Sequence, residues 1–143
     1  MAQLRHGFVI DRPVEAVFDL ATTARYWPEW HPATLRVEGD VEHPAQLGDR
    51  ITEYVNIGGL EGSGTWTVIA YQRPRRLVLA ADTAMGHLEI AYSASVDAGG
   101  TRFERALTYP DLGETLDQIM EQQSATAVAN LKTLLERRIP PAR

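Results

Sequence analysis

The spacing of apolar residues changes twice along the chain and divides it into three regions. In the first, residues 3–10 end in β-favouring side chains and are predicted to form a strand. Pro13 suits the first position of a short helix, where a missing N–H has no cost. The apolar stripe of this helix recurs at helical spacing at Val14, Val17, Phe18 and Ala21. Pro28 disfavours a helical conformation at Trp27, so a second, very short helix or a helical turn is expected there.

In the second region, from residue 33 to residue 110, apolar residues recur at every second position, as they do in half-buried strands. Six more strands are predicted, at residues 34–40, 49–57, 64–71, 75–82, 87–96 and 101–109. Short turn sequences separate them, among them the glycine-rich GGLEGSG at residues 58–64, which is expected to form a flexible hairpin. Such short links imply a consecutive antiparallel meander.

The third region follows Gly113 and contains no further glycine or proline before Pro140. Its apolar residues mark one face of a helix of about 24 residues, which at about 1.5 Å per residue crosses a small domain. The order of elements therefore predicts one α+β domain over residues 1–143. In it, a seven-stranded curved antiparallel sheet wraps around the long C-terminal helix, and two short helices follow the first strand. Small or polar residues between sheet and helix would leave a cavity.

Composition and charge narrow the function classes. The formal net charge of −5 disfavours a nucleic-acid partner, which would favour a basic face. Without cysteine there is no disulfide, thiolate nucleophile or sulfur metal site, and the four histidines lack metal-ligand spacing. The beginning of the chain has no apolar run long enough for a signal peptide or membrane insertion, so a cytoplasmic location is expected. The glycine-rich segment matches neither a Walker loop nor a dinucleotide fingerprint, and no cofactor is expected.

The chain resembles the START-like, or SRPBCC, superfamily of helix-grip proteins, and in particular its polyketide cyclase/dehydrase branch. The resemblance extends over nearly the whole chain and rests on four stretches in order: IDRPVEAVFDLATTARYWPEWHP, GSGTWTVIAYQRPRRLVL, GGTRFERALTY and AVANLKTLLER. It implies a hydrophobic ligand cavity between the sheet and the C-terminal helix. Because the superfamily includes cyclases, lipid carriers and co-chaperones, the resemblance does not name one function.

The segment RYWPEWHP combines two tryptophans with a histidine and two prolines. On the helix-grip fold, Trp27 and Trp30 lie where the short helices close one end of the sheet. Trp30 is interpreted as a core plug, and Trp27 as either a plug or a gate of the cavity. His31 either caps a turn, which we favour, or moves protons at the cavity rim.

Strand alternation places a few polar side chains on apolar faces. Glu53 shares a face with Ile51 and Val55, and Arg105 lies on an apolar face of the last strand. The catalytic candidates are Arg105, Glu53 and Tyr92. Together they would transfer a proton and stabilise an anion, and the resemblance supports this role for Arg105 and the tyrosines. Two alternatives compete with it: Glu53 and Arg105 pair only with each other, or a register error turns them to solvent.

The face of the fourth strand is ambiguous, and we favour the set that contains Thr67 and Ile69 as inward-facing. The full set of candidate ligand-binding residues comprises Trp27, Trp30, His31, Ile51, Val55, Thr67, Ile69, Leu88, Ile90, Phe103, Leu107, Tyr109, Met120 and Ala127. A mostly apolar lining with a few convergent polar groups is typical of a small-molecule pocket.

The leading hypothesis is therefore a protein that binds an aromatic polyketide-like or lipid-like molecule between its sheet and its C-terminal helix, and the sequence leaves open whether it also catalyses cyclisation or dehydration. The alternatives are a non-catalytic carrier of hydrophobic molecules and a co-chaperone-like interaction module. An edge strand offers a surface for a homodimer, which charge and composition leave undecided.

Overall fold

Seven strands and one long helix account for most of the chain in the computed structural model, which describes residues 1–141. The strands are β1 (Ala2–Ile10), β2 (Thr34–Gly39), β3 (Arg50–Ile57), β4 (Leu60–Gln72), β5 (Arg76–Thr83), β6 (Gly86–Asp97) and β7 (Gly100–Tyr109). The helices are α1 (Val14–Thr22), α2 (Trp27–Trp30) and α3 (Glu114–Arg138), with a 3₁₀ turn at Ala24–Tyr26 before α2. The predicted α+β helix-grip arrangement is confirmed.

The strands form a single sheet in the order β1-β7-β6-β5-β4-β3-β2, and all neighbours are antiparallel. Strands β2 to β7 follow one another as the predicted meander: links of two or three residues join β3 to β7, and a longer segment, residues 40–49, joins β2 to β3. β1 pairs with β7, so β1 and β2 are the two edges. This register sets Arg105 of β7 opposite Tyr92 of β6 and opposite His6 of β1.

The hairpin between β3 and β4 is tighter than the sequence predicts. Only Gly58 and Gly59 form the turn, with φ angles of 61° and 96° that glycine adopts without strain. A hairpin is present as predicted, but residues 60–64, expected to lie in its turn, instead continue β4 and pair with β3, from Leu60 opposite Ile57 to Gly64 opposite Glu53. The positive φ angles permit a two-residue turn, so the ladder extends into the glycine-rich segment.

The prediction that Thr67 and Ile69 of β4 face inward is also wrong, and strand pairing explains why. Ile51 of β3 is buried and lies directly opposite Trp66, and residues opposite each other in an antiparallel pair point to the same side. Trp66 and Val68 are therefore buried, whereas Thr67 points to the other face and Ile69 is 50% exposed. A bulge between Val68 and Ala70 interrupts the alternation.

Helix α3 packs tightly against the fold in its second half and loosely in its first half. Leu131 and Leu135 are fully buried in the core with Val17 and Phe18 of α1. The first half instead turns Met120 and Ser124 towards the sheet. These side chains do not fill the space beneath them, so a cavity lies at this end of the helix.

Candidate functional site

A cavity of about 370 Å³ lies between the sheet and the first half of α3. Its walls are mainly apolar, and its size is within the range of small-molecule pockets. Of the candidate ligand-binding residues, six line it: His31, Val55, Leu88, Ile90, Leu107 and Met120. The catalytic candidates Glu53 and Arg105 also line it.

Arg105 is a buried cation without a counter-charge in contact. Its side chain projects from β7 into the cavity wall and the residue is only 6% exposed. One guanidinium nitrogen donates a long hydrogen bond of 3.5 Å to Ser124 Oγ, and Nε has no partner within residues 1–141. No ion pair of the described residues includes Arg105. A buried charge without a partner is costly, so this group favours an anionic oxygen in the cavity.

Glu53 is held by neutral donors on neighbouring strands. Its Oε2 accepts a hydrogen bond of 2.5 Å from Thr34 Oγ1, and its Oε1 accepts one of 3.0 Å from Trp66 Nε1. Within residues 1–141, Glu53 forms no ion pair with Arg105. Both side chains line the cavity, Arg105 buried and Glu53 partly buried, so neither is on the outer face of the sheet.

His31 follows α2, where it caps the turn and also borders the cavity. Its backbone N–H donates to Trp27 O at 2.8 Å, and its Nδ1 accepts from the Ala33 N–H at 3.1 Å, so it caps the turn. Its ring also lines the cavity. Burial, together with the nearby Arg105 cation, lowers the pKa of His31 well below 6.5. The imidazole is neutral at pH 7, and the occupied Nδ1 leaves its proton on Nε2.

The candidate tyrosines lie behind the cavity wall. Tyr92 is buried beside Arg105, with its ring centroid 5.9 Å from that of Phe103, and does not line the cavity. Burial raises the pKa of Tyr92, and the Arg105 cation acts against that rise. Burial and the neighbouring Asp117 raise the pKa of Tyr109 to about 12. Both phenols are therefore protonated at neutral pH.

Two further groups of candidates lie away from the cavity. Trp27 and Trp30 are core residues, and Trp27 Nε1 donates to Ala21 O at 3.1 Å, so Trp27 is a plug and not a gate. Ile51, Phe103 and Ala127 are fully buried in the core, and Thr67 and Ile69 are on the other side of β4. The candidates in this paragraph are not part of the lining.

Several lining residues are missing from the sequence-based set. Trp66 lies on the face of β4 that the sequence analysis does not favour, and its position opposite the buried Ile51 is the signal that identifies it. Ser124, a lone hydroxyl on the inner face of α3, is 3% exposed. The mouth is formed by the β3–β4 hairpin, the β5–β6 turn and the beginning of α3, with Leu60, Met85 and Leu116 among its residues. Loop and hairpin ends carry no periodic signal that would predict this convergence.

Residues 1–141 contain neither a cluster of metal-ligating side chains nor a membrane-spanning helix. No group of three or more histidine and acidic side chains there is arranged to hold a metal ion. Over the same residues, no helix has both the length and the apolar character needed to cross a bilayer.

Solved structures of similar shape share this fold at low sequence identity. Protein MLL2253 from Mesorhizobium loti superposes with a TM-score of 0.75 at 14% identity, over 97% of this chain and 100% of that one. The di-domain ARO/CYC protein BexL of the BE-7585A biosynthetic pathway matches with a TM-score of 0.70 at 19% identity, over 95% of this chain and 47% of BexL. At these identities the likeness shows the fold alone.

Sequence comparison gives a partial relative and a nearly full-length family match. "Penitrem biosynthesis cluster 1 protein I" of Penicillium ochrochloron is 36% identical over 62 residues, which cover 42% of this chain and 40% of that protein. The family described as "Polyketide cyclase / dehydrase and lipid transport" matches residues 1–136. The chain therefore belongs to the polyketide cyclase/dehydrase and lipid transport family.

Proposed function

We propose that this protein binds a hydrophobic, aromatic polyketide-like molecule in the cavity between the sheet and α3. The observation that carries the proposal is the mainly apolar cavity of about 370 Å³, open at its mouth, with the buried Arg105 in its wall. Apolar walls provide affinity, and a small number of fixed polar groups orient the ligand. Membership of a family described by cyclases, dehydrases and lipid transport supports the same class of ligand.

Ligand binding is tested by tryptophan fluorescence, because Trp66 lines the cavity whereas Trp27 and Trp30 do not. A panel of aromatic polyketones, hydroxyanthraquinones and fatty acids is titrated against the purified protein. We expect saturable quenching by at least one aromatic compound, with a Kd far below about 1 mM, which corresponds to roughly −4.1 kcal/mol. In the Trp66→Phe variant the quenching should shrink while calorimetric binding persists. No binding across the panel would contradict the proposal.

Enolate chemistry is a second candidate function, favoured by the presence of Arg105 and Glu53 in one cavity wall. In a β-hydroxy ketone, Arg105 would donate to the carbonyl oxygen while a Glu53 oxygen accepts the α-proton. The enolate then re-forms the carbonyl as the β C–O bond breaks. The leaving hydroxide takes up the proton that Glu53 accepted, so the products are an enone and water, and Glu53 is again a carboxylate.

The reaction is tested with 4-hydroxy-4-phenylbutan-2-one, whose dehydration to the conjugated enone raises the ultraviolet absorbance. Glu53→Gln keeps the shape of the side chain but removes the carboxylate base, and we expect it to abolish any enzymatic rate. The matched control is Arg102→Met, on the outer face of the same strand as Arg105. Ligand binding without turnover in the wild type would favour the carrier function instead.

A further inference from the structure

The polar groups around Arg105 present hydrogen-bond donors to the cavity. A guanidinium has donors only. Ser124 Oγ accepts from Arg105, which leaves its own O–H free to donate. His31 accepts at Nδ1 from Ala33, so the ring nitrogen that remains is the protonated Nε2. A ligand group that satisfies Arg105, Ser124 and His31 together must therefore be an acceptor.

The one carboxylate in the inner wall is already engaged elsewhere. Both oxygens of Glu53 accept hydrogen bonds, from Thr34 on β2 and Trp66 on β4, and neither pairs with Arg105. The charge of Arg105 is thus left without a contacting anion, although only 6% of the residue is exposed. A neutral carbonyl would supply an acceptor but no compensating charge.

We propose that Arg105, Ser124 and His31 form a binding site for the carboxylate of an otherwise apolar ligand, a hydrophobic monocarboxylate. The inference rests on the proposed ligand-binding function and names the chemical class of the ligand. A carboxylate offers two oxygens to the guanidinium fork, and charge-assisted hydrogen bonds of this kind are about twice as strong as neutral ones.

The charges elsewhere in the lining limit the ligand to a single negative charge. Glu53 lies in the same inner wall, and its charge disfavours a dianion such as a phosphate monoester. Glu61 lies at the mouth, where it would repel a second carboxylate at the far end of the ligand. Between these ends the wall is apolar, with Val55, Leu88 and Ile90 in contact with the body of the ligand.

The test compares two ligands that share one aromatic body, 2-naphthoate and 2-naphthamide, by isothermal titration calorimetry at pH 7.5. We expect the wild-type protein to bind naphthoate at least about 10-fold more tightly than naphthamide, the ratio that corresponds to a single charge-assisted interaction. Arg105→Met should remove this preference while still binding naphthamide. Arg102→Met, the same change on the outer face of β7, should keep the wild-type preference.

A second variant keeps the test valid if Arg105→Met does not fold. Ser124→Ala removes one neutral donor from the site, and we expect it to weaken naphthoate binding about 3- to 10-fold with no change for naphthamide. Equal binding of both ligands by the wild type would overturn the carboxylate assignment and leave the cavity function standing. Binding of neither ligand would overturn both proposals. An equal loss in Arg102→Met would attribute the preference to overall charge, which also overturns the assignment.

Discussion

Arg102 and Arg105 lie three residues apart on β7 and experience opposite environments. The Arg102 side chain is 65% exposed and lies 3.4 Å from Asp97, whereas Arg105 is buried at the cavity. Alternation along the strand accounts for the difference, since residues three apart point to opposite faces. A buried guanidinium with one long hydrogen bond costs folding free energy that an exposed one does not.

Arg105→Met is expected to stabilise the ligand-free protein. Removing an uncompensated buried charge while keeping the length of the side chain should raise the free energy of unfolding by about 1 kcal/mol or more, as measured by urea denaturation. Arg102→Met should change it by less than about 0.5 kcal/mol. A loss of more than about 1 kcal/mol in Arg105→Met would mean that the fold itself pairs this charge.

His31 should make the free energy of unfolding fall as the pH is lowered. Because its pKa in the folded protein is lowered well below 6.5, the unfolded chain takes up the proton first, and stability falls as the pH drops below 6.5. Between pH 7.5 and 5.5 the wild type should lose more free energy of unfolding than His31→Gln in urea denaturation, by roughly 1 kcal/mol. Arg105 and Glu53 border the same cavity and are unchanged in the variant.

His87 is the matched control for this pH dependence. It is exposed between Asp82 and Glu89, which raise its pKa, so its contribution is present below 6.5 and lost as the pH rises through its folded pKa. His87→Gln should therefore change the pH dependence in the opposite direction. An identical pH dependence in the wild type and His31→Gln would show that His31 is not held neutral by the cavity.

Residue-level expectations succeeded where the strand period alone decides orientation. Glu53 and Arg105 face the cavity as alternation predicts. The partners of Glu53 were not predictable, because Thr34 and Trp66 come from two other strands and reach it only through sheet register and the irregularity in β2. Ser124 was missed because a short hydroxyl on an apolar helix face carries little signal.

At the level of elements, α3 is fixed to the rest of the fold at its C-terminal end. The Arg12 guanidinium, in the link between β1 and α1, donates to Ile139 O at 2.6 Å and to Glu136 O at 3.0 Å. These carbonyls belong to the end of the helix, where intrahelical donors are missing. In the first half of α3, Glu121 accepts a hydrogen bond from His6 of β1 at 2.7 Å when the ring nitrogen carries the proton.

Arg12→Met is expected to destabilise the protein, in contrast to Arg105→Met. Loss of the charge-assisted bonds to the Ile139 and Glu136 carbonyls should lower the free energy of unfolding by about 1–3 kcal/mol in urea denaturation. Arg137→Met, an exposed change on the same helix end, should have little effect. An unchanged stability in Arg12→Met would show that water replaces the guanidinium as the cap.

Element order and strand order followed from the sequence because short turns force neighbouring strands to pair antiparallel. The errors at this scale have local causes. Glycine is typical of loops, so the sequence predicts a turn over residues 58–64 that is too long, whereas Gly62 and Gly64 lie within paired β4. The face of β4 was missed because a bulge breaks the period in its second half.

For the molecule as a whole, the cavity results from uneven filling between one sheet and one helix. Large side chains such as Leu131 and Leu135 close the space at the α1 end, and Ser124 leaves it open at the other end. The presence of a cavity was predictable from the fold class. The residues that line it were less predictable, because the mouth depends on how the hairpin ends and the start of α3 converge.

A titration with the neutral probe N-phenyl-1-naphthylamine, whose emission rises in apolar surroundings, tests the cavity most directly. Leu88 lines the cavity wall on β6, so Leu88→Trp should fill the space. The expected loss in the free energy of unfolding is about 1–3 kcal/mol, as is typical of overpacking. The account predicts saturable binding of one probe per wild-type chain and its loss in folded Leu88→Trp. No enhancement with the wild type, or equal binding by both proteins, would contradict an accessible cavity between the sheet and α3.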